Sequence, residues 1–275
     1  MDYRELSPSP ALRPYVRCYW TMRATADLGA PAQRVLPDGC VEMVLNLAGR
    51  FVWHAPDGRV EVQPSRLLVG PTTRHMSIAP TGEIRLVGIR FAPGGALPFL
   101  AAAPAELRDQ APSLDDAAVP FEPDLAERLF AAPVNSEAAL LDAALLARLS
   151  RSRRHADARV RSCVHAAVVS RGTLRVHTMV ALSGLGARQL ERRFRETVGF
   201  GPKTLCRLAR FQRVVYALQA RAAPSWARLA ARAGYADQAH MAREFREFAG
   251  TTITAYSREL HPMSDVFHGT AVAEA

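Results

Sequence analysis

The chain has 275 residues, 49% of them hydrophobic and 22% charged, enough for two ordinary domains with their own cores. No stretch approaches an uncharged membrane span, and the start "MDYRELSPSPALRPY" lacks the basic and apolar regions of a signal peptide, so a cytoplasmic protein without a membrane partner is expected. The formal charge of +9 is uneven: residues 1–150 hold 14 Arg against 17 acids, whereas residues 151–275 hold 21 Arg and Lys against 9 acids, which points the second half at a polyanion. Bases can equally solvate a helical surface, so charge alone does not decide between the two. Cys18, Cys40, Cys163 and Cys206 lie far apart with no CxxC spacing, which reads as free thiols in a reducing compartment and excludes a zinc knuckle.

In chain order, residues 33 to about 91 read as antiparallel β structure. "VEMVLNL" (41–47), "RFVWH" (50–54), "RVEVQ" (59–63), "RLLVG" (66–70) and "IRLVGIRF" (84–91) are short, rich in Val, Leu, Ile and aromatics, and bounded by turn residues. In Pro37-Asp38-Gly39 and Pro56-Asp57-Gly58 a proline presets one φ angle and a glycine supplies a positive one. Closely spaced short strands favour a barrel or jelly-roll over a parallel sheet. "APGGALPFL" breaks this pattern, and "SEAALLDAALLARLS" (136–150) reads as a helix that Ser136 can cap. The basic connector "RSRRHADAR" (151–159) marks the domain boundary, and after it seven helices are expected, one opening at Pro202 and one capped by Ser225.

Two stretches of the basic half are nearly the same object: "GLGARQLERRFRETVG" (184–199) and "GYADQAHMAREFREFAG" (234–250). Aligned on Phe194 and Phe245 they coincide at an offset of 51, pairing Arg192 with Arg243 and Arg195 with Arg246; upstream the offset falls to 50, which puts Ala236 in a longer second turn. Each is a helix, a turn containing glycine and a second helix, the signature of a helix-turn-helix, at about 174–199 and 225–250. Leu190, Phe194 and Val198 form one stripe of the first unit and Met241, Phe245 and Phe248 one stripe of the second. On the opposite faces stand Arg188, Arg192 and Arg195, then Ala239, Arg243 and Arg246. One such face is an ordinary solvated surface; two in register on the basic half point to DNA, where arginine can grip guanine or a phosphate. The helix between them, Pro202 to Gln219, spans about 26 Å and can set the two units near one turn of DNA apart, about 34 Å.

Residues 157–260 resemble the AraC/XylS family of bacterial transcription regulators: "LSGLGARQLERRFRETVGFGPKTL" is similar to its first helix-turn-helix and "LAARAGYADQAHMAREFREFAG" to its second. The resemblance implies DNA-facing positions at Arg188, Glu191, Arg192, Gln238, Ala239 and Arg243; Gln189, Arg195 and Arg246 complete the candidate set, and His240 is expected to be structural. Gly186 replaces the family's usual serine cap, Val180 a small alanine and Ile253 a proline, so a looser final helix is expected. Ala239 reaches less far than Arg188, so more of the sequence preference is assigned to the first unit.

The N-terminal half is similar to the cupin-like sensor domains of the same family through "LRPYVRCYW", "LPDGCVEMVLNL", "LLVGP" and "GIRFAPGGALPFL". The fold class expected is thus α+β, a cupin-like β-barrel or jelly-roll with helices over 1–150 and an all-α DNA-binding domain over 151–275. Trp20, Arg34, Trp53, His75 and Arg90 are the candidate effector pocket, apolar walls with a few polar groups, although core packing serves the tryptophans equally well. A cupin-like enzyme with an accessory DNA-binding domain is the alternative. His54 and His75 stand apart with no HxH, and Cys40 has no identifiable base, so no catalytic residue, metal or cofactor is assigned. Double-stranded DNA, RNA polymerase, a small effector and a second copy of the chain are the expected partners.

Overall fold

A computed structural model describes residues 2–259 apart from 26–31, 56, 118, 120, 121, 123, 134 and 221–224. Pro56 of the second expected turn and residue 260, the last of the family resemblance, lie outside the described residues. The N-terminal half builds two antiparallel sheets from β1 (Asp2–Leu6), β2 (Val16–Ala24), β3 (Gln33–Val35), β4 (Glu42–Ala48), β5 (Phe51–His54), β6 (Val60–Val62), β7 (Arg66–Val69), β8 (Met76–Pro80) and β9 (Ile84–Phe91). One sheet runs β1-β2-β9-β4-β7 and the other β3-β8-β5-β6.

The five-stranded sheet is buried on both faces. Trp20, Met22, Val44, Ile84 and Leu86 meet Phe51 and Ile78 of the four-stranded sheet. On its other face Tyr19, Met43, Leu45, Val87 and Ile89 pack with α1 (Leu125–Ala131) and α2 (Glu137–Arg151) through Leu125, Leu129, Leu141 and Leu145. A strand covered on both sides needs no polar alternation, and β2 and β9 are buried along most of their length. The register sets Trp20 of β2 opposite Gly88 of β9, and a Cβ at Gly88 would stand 2.0 Å from the indole. That glycine is the space the tryptophan occupies.

The C-terminal half folds as α3 (Ala158–Val169), α4 (Val176–Ser183), α5 (Ala187–Val198), α6 (Pro202–Gln219), α7 (Trp226–Ala233), α8 (Gln238–Ala249) and α9 (Ile253–Glu259). Its core includes Leu190, Phe194 and Val198 of α5, Met241, Phe245 and Phe248 of α8, and Leu205, Leu208, Val215 and Leu218 of α6. Phe211 stands 5.3 Å from Phe245 and 5.2 Å from Phe248, centroid to centroid, so α6 is the axis on which α8 is seated. Ile253 is buried in the same core.

The structure departs from expectation at four strands and one cap. β1, β2, β3 and β8 were not among the expected strands. Ser136 precedes α2, but its hydroxyl donates to the Pro133 carbonyl at 2.6 Å and leaves the first turn without a side-chain cap. The connector after α2 is fastened down: the Arg154 guanidinium donates to the carbonyls of Leu100 (2.8 Å), Ala101 and Ala102 (2.9 Å).

Candidate nucleic-acid interface

Each unit of the repeat is punctuated by a glycine and a cap. α4 ends at Gly184 (φ 63°) and α7 at Gly234 (φ 84°), both in the left-handed conformation that suits glycine. The first turn then needs only Leu185 and Gly186 before α5, whereas the second holds Tyr235, Ala236 and Asp237 before α8. The Asp237 side chain accepts from the His240 N–H at 2.6 Å, capping α8; Gly186 offers α5 no such bond.

The two exposed faces are as the offset places them. Arg188, Gln189, Arg192 and Arg195 are exposed on α5 with Glu191 half-buried, and Gln238, Ala239, Arg243 and Arg246 are exposed on α8. Arg192 stands 3.8 Å from Glu196 and Arg195 3.0 Å from Glu191, with 67% and 60% of the arginine side chains in solvent. Pairs so exposed are worth about 0–1 kcal/mol, little enough to be exchanged for a nucleic-acid contact. The outer face of α5 shares an open groove of about 510 Å³ with Ala103 and Ala105 of the N-terminal half.

The five candidate pocket residues divide. Arg34, Trp53 and His75 line a cleft of about 910 Å³, together with His54, Arg74 and Met76. Trp20 lines an adjoining cavity of about 60 Å³ between the sheets, which is far below the roughly 300–1,000 Å³ of a ligand site. Arg90 lines neither: it is 1% exposed, hydrogen-bonded to Glu42 and close to Asp38 (3.8 Å) and Glu5 (3.7 Å). Burial works against its charge, yet Glu42 and Asp38 hold the guanidinium pKa well above its ordinary value. Burial also pushes Cys40 well up and Cys18 up to about 12, so neither thiol is poised as a nucleophile. Among the described residues no group of His, Cys, Asp and Glu could hold a metal, and no helix is long and apolar enough to cross a membrane.

Residues 179–259, which hold both exposed faces, match the family described as a helix-turn-helix domain. The chain carries an AraC-type helix-turn-helix domain. Such a domain is a DNA-binding module of transcription regulators. Residues 4–113 match a second family, described as a domain of unknown function (DUF6597). No curated protein matches the chain. Among solved structures, ToxT from Vibrio cholerae is similar in fold over 94% of this chain and 99% of its own, at 11% identity and a TM-score of 0.50. A second ToxT structure from V. cholerae covers 89% of this chain and 98% of its own at 10% identity, with a TM-score of 0.49.

Inside the AraC-type domain, buried charge does work that periodicity did not reveal. Glu244, on the inner face of α8, accepts from Arg207 (2.8 Å) and Arg210 (3.5 Å) of α6. At the equivalent position of α5, Arg193 donates to Asp157, which also caps α3 by accepting from the Arg159 N–H at 2.9 Å. α5 and α8 are therefore anchored by ion pairs of opposite polarity, Arg193 to Asp157 in one and Glu244 to Arg207 and Arg210 in the other. A signal existed in the sequence, because Arg193 and Glu244 are the single difference between the runs 192–196 and 243–247 at the offset of 51. His240 sets its ring edge-on to Tyr235 at 5.2 Å, a packing role.

Proposed function

We propose that this chain reads a bipartite DNA site with α5 and α8 and regulates transcription in response to a signal received by its N-terminal half. The observation that carries the reading is the duplication of one exposed arginine face in an AraC-type domain, on helices held by equivalent glycine turns. Arg188, Arg192 and Arg243 read base edges, with Gln189, Glu191, Gln238 and Ala239 beside them, and Arg195 and Arg246 hold phosphates. The shorter Ala239 gives α8 less reach than α5, so the first unit contributes more preference.

In this reading residues 1–150 are the sensor and dimerisation half and residues 151–275 the DNA-binding half of a cytoplasmic regulator. The effector site is the cleft at Arg34, Trp53 and His75, whose volume suits a small molecule. Its position supports the assignment: Arg34 pairs with Glu259 of α9, and the His75 N–H donates to the Phe248 carbonyl of α8 at 3.0 Å. A ligand held there would press on the second unit directly. RNA polymerase and a second copy of the chain are its protein partners.

Selection of random-sequence duplex DNA by the full chain at near-physiological salt tests the reading. Two enriched blocks about one helical turn apart are expected; salt-sensitive retention with no enriched block would end it. Arg192→Ala and Arg243→Ala should each lose about 1–3 kcal/mol of binding and relax preference in one block. Unchanged affinity and preference in both variants would remove these residues from the interface.

A further inference from the structure

The loop joining β7 to β8, residues 70–75, touches the C-terminal caps of both DNA-facing helices. At one end, a Cβ on Gly199, the cap of α5, would lie 2.4 Å from the Pro71 ring. At the other, a Cβ on Gly250, the cap of α8, would lie 2.1 Å from the His75 ring, beside the hydrogen bond from the His75 N–H to Phe248. Both caps are left-handed glycines, at φ 97° and 65°, so the N-terminal half approaches each helix at a point where no side chain intervenes.

The loop itself is braced. Thr73 donates twice to Asp109, from its N–H (2.6 Å) and its hydroxyl (2.7 Å), and Asp109 returns an N–H to the Pro71 carbonyl at 3.2 Å. Asp109 holds φ 57°, an uncommon conformation for a non-glycine residue, which this pair of bonds keeps in place. Gly70 donates to Gln110 and lies against Leu107, where a Cβ would stand 1.8 Å from the carbonyl oxygen.

From these contacts we infer that the β7–β8 loop is a clamp that sets the separation of the two DNA-facing helices, with Pro71 and His75 as its positioning residues. The inference rests on the DNA-reading assignment above. Four residues of chain span at most roughly 14 Å, so the two caps are tied on a short tether. Each helix carries its first DNA-facing residue, Arg188 or Gln238, at the far end of 12 residues, about 18 Å from its cap. A tilt of about 10° at the caps therefore moves a reading end by roughly 3 Å, close to the 3.4 Å rise of one base pair. Small movements of the clamp are thus read as changes of spacing between the two half-sites. Thr72, Arg74 and His75 also line the large cleft, so a molecule bound there acts on the clamp itself.

The test is selection by the full chain from duplex pools in which the two half-site blocks are separated by varied numbers of base pairs. Wild type should favour one spacing over its one-base-pair neighbours by roughly tenfold, as one misplaced contact costs. The Pro71→Ala/His75→Ala double variant should bind each block but discriminate spacings only about twofold. His75→Phe, which keeps a ring against Gly250, should restore the preference of the single His75→Ala variant. If the double variant fails to fold by circular dichroism, Asp109→Gly removes the acceptor of both Thr73 bonds at a left-handed position that glycine tolerates, touches neither helix, and should loosen spacing in the same way. A folded variant with wild-type spacing preference overturns the clamp and leaves the DNA reading intact. A wild-type protein that enriches no paired block overturns the DNA reading and the clamp with it.

Discussion

Arg90 shows how far one residue can lie from what its type suggests. Basic residues near tryptophans look like a pocket, and the sequence alone placed Arg90 in one beside Trp20. Strand register decides otherwise: β4 sets Glu42 directly opposite Arg90, and β2 sets Cys18 opposite it on the other side. That pairing is a three-dimensional fact with no local sequence mark, so it could not be read in advance. Removing one partner of a buried ion pair costs about 3–5 kcal/mol, because the remaining charge stays desolvated. Arg90→Met, which keeps the volume and strands Glu42, Asp38 and Glu5 in the interior, should lose that amount in a urea titration. A loss below about 1 kcal/mol would mean that water reaches the cluster and that the charges do not hold the two halves of the sheet together.

At the level of elements, the helices were the most legible part of the chain and the strands the least. α4 to α8 announce themselves by glycine stops, caps at Ser225 and Asp237, and a stripe repeated at one offset. β2 (VRCYWTMRA) is buried on both faces, so its residues do not follow the apolar–polar alternation that marks a strand. β1, β3 and β8 carry too few β-branched and aromatic residues to stand out. The same comparison predicts unequal starts for α5 and α8. Gly186 has an extended backbone (φ −64°, ψ 151°) and open space around an added Cβ, so Gly186→Ser should stabilise the fold by a few tenths of a kcal/mol. Asp237→Ala removes a made cap and should cost about 1 kcal/mol. Thermal midpoints of the two variants should therefore move in opposite directions, and a shared direction would contradict the cap assignments.

The β7–β8 loop adds a pH dependence. The His75 ring is held below its ordinary pKa, first by burial and then by the nearby Arg34 guanidinium, which Glu259 in turn neutralises in part. A histidine whose folded pKa lies below the unfolded value of about 6.5 binds its proton more readily in the unfolded chain. Stability is then complete above about pH 6.5 and falls as the pH drops below it toward the folded pKa. Urea midpoints of the wild type should decline between about pH 7 and 5.5, and His75→Phe should flatten part of that decline. Identical pH profiles for the two proteins would show that the ring titrates freely and is not enclosed between the β7–β8 loop and α8.

For the molecule as a whole, the uneven charge of the two halves was legible, but the manner of their joining was not. Leu36, from the β half, is 3% exposed inside the helical core. Gln212 of α6 donates to the adjacent Pro37 carbonyl at 2.7 Å, and Arg17 of β2 donates to Tyr216 of α6 at 3.2 Å. Gly39 follows at φ 81°, where an added Cβ would lie 3.5 Å from both Phe200 and Leu205. A turn that composition marks simply as a hairpin end is thus a plug seated in the AraC-type domain. Halves sharing a core should melt together, and differential scanning calorimetry of the full chain should show one transition with equal calorimetric and van't Hoff enthalpies. Leu36→Ala removes the plug's apolar tip, should cost about 2–5 kcal/mol, and should separate the transition into two. If the wild-type chain already melts in two steps, the junction is too weak to carry a signal by packing. An effector in the large cleft would then reach α5 and α8 through the contacts at Gly199, Phe248, Gly250 and Glu259.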